Sequence, residues 1–300
     1  MFRPIPAKTL SSYLYLSLSM CMVGTYLALS KPLVELMPIF LIAWLRFGLG
    51  ALAMLSWIRK PSDEIPMTWD TKKLLFFESF LGNFLFTLFV LFGIRHTSAV
   101  SAGIILSAIP ATIAIMSWFF LKEKVSLRIW FAIAFAVIGV ALLSYEPNST
   151  KSNSWFGNFL LIGAVLCESA YAVIGKYLTS KLNPKRIASL INLWGLILTT
   201  PAGFYIALNF DFSVLSLSKW YLFIYYALSA SVITVWLWMT GLKHVSSSTA
   251  GVFTVMLPIS AASIGIIFLG ENMSSLQMLA FGMALLGIIL VTFGKASTPE

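Results

Sequence analysis

Long apolar runs separated by short polar stretches account for most of the chain. Ten runs each approach the roughly 20 residues that an α-helix needs to cross a bilayer. Closed β-barrels also satisfy backbone groups in lipid, but they need short segments of alternating polarity, whereas these runs are continuously apolar. The pattern therefore predicts an all-α polytopic membrane protein with ten transmembrane helices. The runs cover approximately residues 11–30, 38–58, 73–94, 98–121, 126–145, 155–178, 186–208, 219–242, 246–269 and 274–294.

The composition is that of a protein whose solvent is lipid. Of the residues, 59% are hydrophobic and 10% are charged, whereas a soluble domain usually has roughly 25% charged residues. A net charge of +9 would suggest a nucleic-acid partner in a soluble protein. Here the basic residues lie between apolar runs, as is typical of cytoplasmic loops, so no nucleic-acid partner is expected. The two cysteines lie within apolar runs without metal-ligand spacing, and we expect neither a metal site nor a cofactor.

The loops between the runs differ in their content of Lys and Arg. If the N-terminus is cytoplasmic, fifteen of these residues fall on the cytoplasmic side and four on the other. The positive-inside rule then predicts a multi-pass protein of the cell (inner) membrane with both termini in the cytoplasm. The first run also resembles a signal peptide with a cleavage site near Ser30. We expect it to be retained, because a weaker counterpart of this run occurs in the second half.

One stretch of the chain occurs twice. Residues 93–146, shifted by 148 positions, align without a gap with residues 241–294, and 15 of the 54 positions are identical. The identical residues include Gly, Pro, His and Glu, so apolar composition alone does not explain the match. The chain is therefore predicted to contain two copies of one structural unit, residues 11–145 with helices 1–5 and residues 155–294 with helices 6–10.

Five helices per unit is an odd number, so the second unit would enter the membrane in the opposite direction to the first. The two units are then related by a pseudo-two-fold axis in the membrane plane, which is the inverted-repeat architecture of many secondary transporters. Two similar packings can exchange roles and give outward-open and inward-open states. We therefore expect alternating access around a shared pocket, with His96 near the outside and its repeat partner His244 near the inside.

The sequence also resembles the EamA family of the drug/metabolite transporter superfamily over nearly its whole length. In each half, the resemblance is carried by an apolar helix with a central Pro, then Leu-x-Glu, then a helix containing Gly. Residues 26–31 and Leu45-Arg46-Phe47 add to it, whereas Val23-Gly24 departs from the aromatic-Gly pair common in helix 1. The matching residues are Pro110, Leu121, Glu123 and Gly139 in the first half, and Pro258, Leu269, Glu271 and Gly287 in the second.

The resemblance implies a ten-helix carrier, often an exporter of amino acids or other small metabolites, without naming the substrate. A metabolite importer or a facilitative carrier is the alternative, and a channel is less favoured because no ring of carbonyls or charges suggests a filter. An enzyme is not expected, because the chain lacks a nucleophile paired with a base and lacks a phosphate-binding loop. The expected partners are the lipid bilayer and a small-molecule substrate, and a homodimer is left open.

Glu168 is the strongest single candidate for the substrate site. It falls near the middle of helix 6, where a charged side chain costs about 2.5–3.5 kcal/mol on insertion scales and usually faces a cavity. The hypothesis is that Glu168 binds a cationic part of the substrate or carries a coupling proton. The alternative is a protonated Glu in an interhelical hydrogen bond.

Pro110 and Pro258 are repeat partners near the centres of helices 4 and 9. Each removes a backbone donor, which lipid tolerates only where the backbone is buried or lines a wet cavity. They are predicted to form a hinge and a polar wall of the cavity, with a simple packing kink as the alternative.

Other polar and aromatic residues at similar depth complete the predicted cavity, although interhelical hydrogen bonding or ordinary packing would explain them equally well. We expect Glu78 to be interfacial, Arg46 to have a structural role or to meet a substrate carboxylate, and Glu123 and Glu271 to cap or pair in the turns. The remaining cavity residues are Tyr26, Asn83, Ser107, Tyr171, Ser231, Trp236 and Thr254.

Overall fold

The computed structural model describes residues 7–62, 64, 66–96, 105–106, 108–143, 155–257, 259–260, 263 and 275–292. The described residues form helices and connecting turns, with no strand among them. Within these described ranges, four helices are long and apolar enough to cross a membrane, and three shorter apolar helices accompany them. The all-α membrane fold expected from the apolar runs is thus confirmed, whereas the count of ten spans stays a prediction. The four long helical segments are Trp69–Val90, Trp155–Thr179, Pro184–Asn209 and Leu217–Leu242.

Twelve α-helices occur within the described residues, six in each half of the chain. Those of the first half are α1 (Ala7–Leu36), α2 (Ile39–Ala53), α3 (Trp69–Ser79), α4 (Phe86–His96), α5 (Ile109–Phe120) and α6 (Leu127–Leu143). Those of the second half are α7 (Trp155–Thr179), α8 (Pro184–Asn209), α9 (Leu217–Leu228), α10 (Thr234–Leu242), α11 (Ser247–Val252) and α12 (Ser275–Thr292). Shorter turns of 3₁₀-helix lie at Leu55–Ile58, Phe212–Val214 and Phe253–Val255.

Capping side chains start the helices that follow polar turns. The Thr68 hydroxyl accepts a hydrogen bond from the backbone N–H of Thr71 at the start of α3, at 3.3 Å. The Asn183 side chain accepts one from Lys185 at the start of α8, at 3.0 Å, and Pro184 occupies the first helical position. Each cap satisfies a backbone donor that has no partner within its own helix.

Helices of one half pack mainly against helices of the other. Three of these contacts join helices that occupy the same place in the two predicted units, namely α2 with α8, α5 with α11 and α6 with α12. Two further contacts mirror each other, because α4 packs on α7 as α10 packs on α1. The core therefore lies between the halves rather than within either one.

Glycines allow two of these mirrored contacts to be close. An ideal Cβ on Gly93 would lie 2.8 Å from the Leu161 side chain and 3.3 Å from the Gly157 carbonyl oxygen. A Cβ on Gly241 would lie 2.6 Å from the Leu16 side chain and 3.0 Å from the Ser12 carbonyl oxygen. Gly93 and Gly241 are identical positions of the aligned stretches, and Leu16 and Leu161 are also repeat partners, 145 positions apart.

Gly287 has a comparable role at the contact of α6 with α12. A Cβ at this position would lie 2.8 Å from the Ala132 carbonyl oxygen, so the two helices approach closely there. This close approach lies inside the fold, which accounts for Gly287 without a second copy of the chain. The homodimer stays a prediction.

Candidate functional site

Two π-helical segments interrupt the long helices at equivalent places. Residues Phe80–Leu85 separate α3 from α4, and Ser229–Ile233 separate α9 from α10. A shift of 148 positions carries the first segment onto residues 228–233, so the irregularity is repeated along with the sequence. Such bulges are frequent at functional sites because they disturb the regular backbone hydrogen bonds of a helix.

The first π segment carries Asn83 and supports Tyr171. A Cβ on Gly82 would lie 2.2 Å from the Tyr171 ring, so only glycine lets α7 approach the segment so closely. The side-chain nitrogen of Asn83 is buried and has no hydrogen-bond partner among the described residues. An unpaired buried donor of this kind is costly, and a ligand or a water molecule would satisfy it.

The second π segment carries Ser231, whose polar groups are used inside the protein. The Ser231 carbonyl accepts a hydrogen bond from the Asn192 side chain at 2.7 Å, and its hydroxyl donates to the Arg46 carbonyl at 3.4 Å. Ser231 therefore joins α2, α8 and the π segment. Asn83 and Ser231 are repeat partners, yet only Asn83 has an unused donor in this structure.

Groups of both charges surround Tyr26 and Tyr171. Arg46 of α2 and Glu168 of α7 each lie within electrostatic range of both tyrosines. Glu168 is partly exposed and makes no hydrogen bond or ion pair with the described residues. The guanidinium carbon of Arg46 lies 4.3 Å from the centre of the Phe47 ring, and the Arg46 Nε is buried with no hydrogen-bond partner in the described part of the chain.

Aromatic rings form one wall beside these groups. The rings of Tyr26 and Tyr226 meet edge to face at a centroid distance of 5.5 Å, which brings α1 against α9. Tyr26 thus connects Tyr226 with Tyr171, Arg46 and Glu168. We call the polar group formed by Tyr26, Arg46, Glu168, Tyr171 and Tyr226 the central cluster.

Glu78 is a buried acidic residue near the central cluster whose burial the sequence reasoning missed. We expected it to be interfacial, but its side chain is 0% exposed in the structure. The expectation failed because it placed Glu78 by its distance from the end of the apolar run. In the structure, α3 extends four residues beyond the predicted start of that run, to Trp69, and Glu78 packs against α7 next to the π segment.

The remaining predicted cavity residues lie apart from the central cluster or outside the described residues. The Trp236 ring packs between Tyr15 and Trp57, at centroid distances of 6.4 and 6.2 Å. The Thr254 hydroxyl donates to the Gly251 carbonyl of its own helix at 2.7 Å. Ser107 and Pro258 lie outside the described residues.

Pro110 is buried, and α5 begins at Ile109, one residue before it. Ahead of Ile109, the Ala108 N–H bonds the Ile105 carbonyl, as in a 3₁₀ turn. In the second half, a 3₁₀ turn at Phe253–Val255 interrupts the helix ahead of position 258. Helical regularity is thus broken near both prolines, as the missing backbone donor requires.

Polar contacts connect the halves at the end of the molecule predicted to be cytoplasmic. The Glu123 carboxylate accepts hydrogen bonds from the Ser247 and Ser248 N–H groups at 2.8 and 3.2 Å, and so caps α11. Glu64 and Arg186 form a largely buried ion pair between the loop after α2 and the start of α8. Glu123 was expected to cap or pair in its turn, and the structure shows that it caps a helix of the other half. Glu271 lies outside the described residues.

Comparisons with known proteins agree on one class. A model of the EamA-like transporter family matches residues 10–145 and 155–293. The chain is 30% identical to the uncharacterized transporter YetK of Bacillus subtilis (strain 168), over 98% of this chain and 90% of the relative. It is 27% identical to the uncharacterized inner membrane transporter YedA of Escherichia coli (strain K12), over 57% and 54% of the two chains. One solved crystal structure has a TM-score of 0.75 at 17% identity, covering 94% of this chain and 96% of that chain, so the two share a fold.

Proposed function

Because the chain belongs to the EamA-like transporter family and is a multi-pass membrane transporter, we propose that it is a secondary transporter that exports amino acids or related small metabolites by alternating access. The proposed architecture has ten transmembrane helices in two inverted units, residues 11–145 and 155–294. Import or facilitated movement of a metabolite is the alternative to export.

The reciprocal glycine contacts are the observation that carries this proposal. Gly93 of the first half receives Leu161 of the second, and Gly241 of the second half receives Leu16 of the first. An exchange of equivalent residues is what a two-fold relation between the halves produces. If each half has five spans, the axis lies in the membrane plane, and the halves can exchange conformations to open the shared pocket to either side.

The central cluster supports a zwitterionic substrate. Arg46 offers a cation for a carboxylate, and Glu168 offers an anion for an ammonium group. Both lie within electrostatic range of Tyr26 and Tyr171, and we propose that both bind the same small molecule. Arginine is well suited to hold a carboxylate because its guanidinium group presents two parallel donors. Glu168 is proposed to bind the ammonium group or to carry a coupling proton.

The polar contacts of Glu123 and of the Glu64–Arg186 pair support a conformation closed at one end. Both join the two halves, so opening that end requires both to break. The excess of Lys and Arg in the same loops makes this the proposed cytoplasmic end, with both termini on that side of the cell (inner) membrane. The described state would then be closed to the cytoplasm.

Proteoliposomes test the proposed substrate class and the role of Glu168. Vesicles containing the purified protein are loaded with isotopically labelled amino acids, and exchange against unlabelled amino acids is measured by mass spectrometry. We expect saturable exchange of a subset of amino acids, and Glu168→Gln should slow it about 10-fold or more, because the ammonium group would lose its charged partner.

The matched control is Asp70→Asn, which also removes one acidic side chain, is exposed at the first turn of α3, and should leave exchange near the wild-type rate. Metabolite profiling of cells with and without the protein would nominate substrates outside the amino acids. Wild-type rates and affinity in Glu168→Gln would refute the role of Glu168, and conductance without saturation would point to a channel.

A further inference from the structure

Glu78 is a buried carboxyl group that the proposed substrate site does not use. Its side chain is 0% exposed, and neither carboxyl oxygen has a hydrogen-bond partner among the described residues. The neighbouring Ser79 hydroxyl donates instead to the Ile191 carbonyl at 2.8 Å. A charged carboxylate is rarely left in such surroundings without a cation or several donors.

The surroundings of Glu78 are small and apolar. An ideal Cβ on Gly175 of α7 would lie 2.8 Å from Glu78 Oε1 and 3.1 Å from the terminal methyl carbon of Met239. Glycine at position 175 thus leaves the space that the carboxyl group occupies. The structure places an acidic group where three helices, α3, α7 and α10, converge.

The charged and titratable groups around Glu78 can be named element by element. On α7, Glu168 and Tyr171 lie within electrostatic range of it, and the Lys176 ammonium is engaged by the Leu242 and Lys243 carbonyls at 2.9 and 3.3 Å. On α8, Arg186 is engaged by Glu64. Helix α10 has no titratable side chain, and those of α3 other than Glu78 lie at its exposed first turns: Asp70, Lys72 and Lys73.

Two carboxyl groups of different accessibility therefore lie within electrostatic range of each other. Glu168 is partly exposed and belongs to the central cluster, whereas Glu78 is sealed from solvent. Tyr171 lies within electrostatic range of both, and its ring packs on the π segment that follows Glu78. A change in the charge of one acid therefore acts on the other, because a protein interior of low dielectric constant screens charges weakly.

We propose that Glu78 carries the coupling proton of the transport cycle, which leaves Glu168 to hold the cationic group of the substrate. This inference rests on the proposed function as a carrier. A proton from water on the acidic side binds one carboxylate oxygen of Glu78 when the site is open to that side. The neutral acid is then sealed during the conformational change, and the same proton leaves to water on the other side.

Two modes of transport in the same vesicles separate this role from a structural one. Exchange of labelled for unlabelled amino acids at equal pH needs no net proton movement. Efflux of the same amino acids into a more acidic medium is driven by the proton gradient. We expect Glu78→Gln to lower gradient-driven efflux about 10-fold or more relative to exchange, within the usual range of coupling between two sites.

Gly175→Ala is a second variant that keeps the carboxyl group but crowds it. It should lower gradient-driven efflux relative to exchange, by less than Glu78→Gln does. Asp70→Asn removes an exposed acid from the same helix and should leave the ratio of the two modes unchanged. An unchanged ratio in Glu78→Gln would overturn the inference.

Labelling with dicyclohexylcarbodiimide tests Glu78 without a substrate. This apolar reagent converts protonated carboxyl groups in apolar surroundings to N-acylureas, which mass spectrometry locates in the sequence. We expect modification at Glu78 in wild-type membranes and none at Asp70.

The outcomes distinguish the two proposals. If vesicles with the wild-type protein exchange amino acids but their efflux does not respond to a pH gradient, the proton role of Glu78 is refuted. The proposed function as a carrier is then unaffected. Vesicles that do not exchange amino acids would refute the proposed substrate. In that case the carbodiimide labelling is the remaining test of the inference about Glu78. An unmodified Glu78 overturns the inference, and a modified Glu78 supports it.

Discussion

A single methyl group added at Gly241 or Gly93 would disturb the contact between the halves. A Cβ at Gly241 would meet Leu16 at 2.6 Å and the Ser12 carbonyl oxygen at 3.0 Å, and the backbone atom cannot rotate away. We expect Gly241→Ala and Gly93→Ala each to lower the free energy of unfolding by about 1–3 kcal/mol, as overpacking does. Thermal unfolding of the purified protein in detergent measures the effect.

Gly282 of α12 provides the control, because an ideal Cβ there would meet nothing within 4 Å. Gly282→Ala should leave the melting temperature unchanged or raise it, since alanine is the better helix former. Equal melting temperatures for all three alanine variants would show that the glycine contacts do not hold the halves together.

Sequence reasoning at the residue scale could find Glu168 but not Glu78. Depth along an apolar run identified Glu168 near the middle of its helix, and the structure places it within electrostatic range of Tyr26 and Tyr171. Depth failed for Glu78, because its burial depends on the packing of α3 against α7 and on the space left by Gly175. Packing between distant segments is not encoded in the hydropathy of one run.

At the element scale, the start of α11 depends on one side chain from the other half. The Glu123 carboxylate accepts hydrogen bonds from two N–H groups at that helix end and from the Ser248 hydroxyl, at 3.0 Å. We expect Glu123→Ala to lower the free energy of unfolding by about 0.5–2 kcal/mol, as loss of a helix cap does. Glu123→Gln keeps one acceptor and should have a smaller effect.

The same cap bears on transport, because it joins the halves at the proposed cytoplasmic end. Glu123→Ala should make that end easier to open, and a cysteine introduced at Ser247 should then react faster with maleimide in inside-out membrane vesicles than it does with Glu123 present. Equal reaction rates would limit the role of Glu123 to helix stability.

The helices themselves were largely predictable, whereas their irregular segments were not. Long apolar runs predicted helices at the places where the described ones occur, and polar turns marked their ends. The π segments at Phe80–Leu85 and Ser229–Ile233 leave no mark in hydropathy, because they change the backbone hydrogen bonds and not the polarity of the sequence. The two π segments nevertheless lie at equivalent positions of the two predicted units, as a repeated sequence would predict.

At the scale of the whole molecule, the aligned stretches predicted that the halves are related, and the mirrored packing of α4 on α7 and α10 on α1 agrees with that relation. Hydropathy does not show which helix faces of the two halves contact each other, because all of the apolar runs have similar hydropathy. Side-chain contacts such as that of Leu161 on Gly93 carry this information, and they follow from shape rather than from polarity.

The proposed opposite orientation of the halves leads to a prediction that tests the whole architecture. The loop after α2 and the loop after α8 are equivalent, since a shift of 148 positions carries Lys60 onto residue 208. Inverted units must place these loops on opposite sides of the membrane. Lys60 and Asn209 are exposed, so each can be replaced by cysteine in a chain whose Cys21 and Cys167 are changed to serine.

In intact cells, a membrane-impermeant maleimide should label Asn209→Cys at once and Lys60→Cys only after the membrane is permeabilised. The reason is that the Lys- and Arg-rich loops stay in the cytoplasm, and an odd number of spans separates the two positions. Labelling of both cysteines from the same side would mean that the units run parallel. Two parallel units could not exchange conformations across an axis in the membrane plane, and alternating access by inverted repeats would then be wrong for this protein.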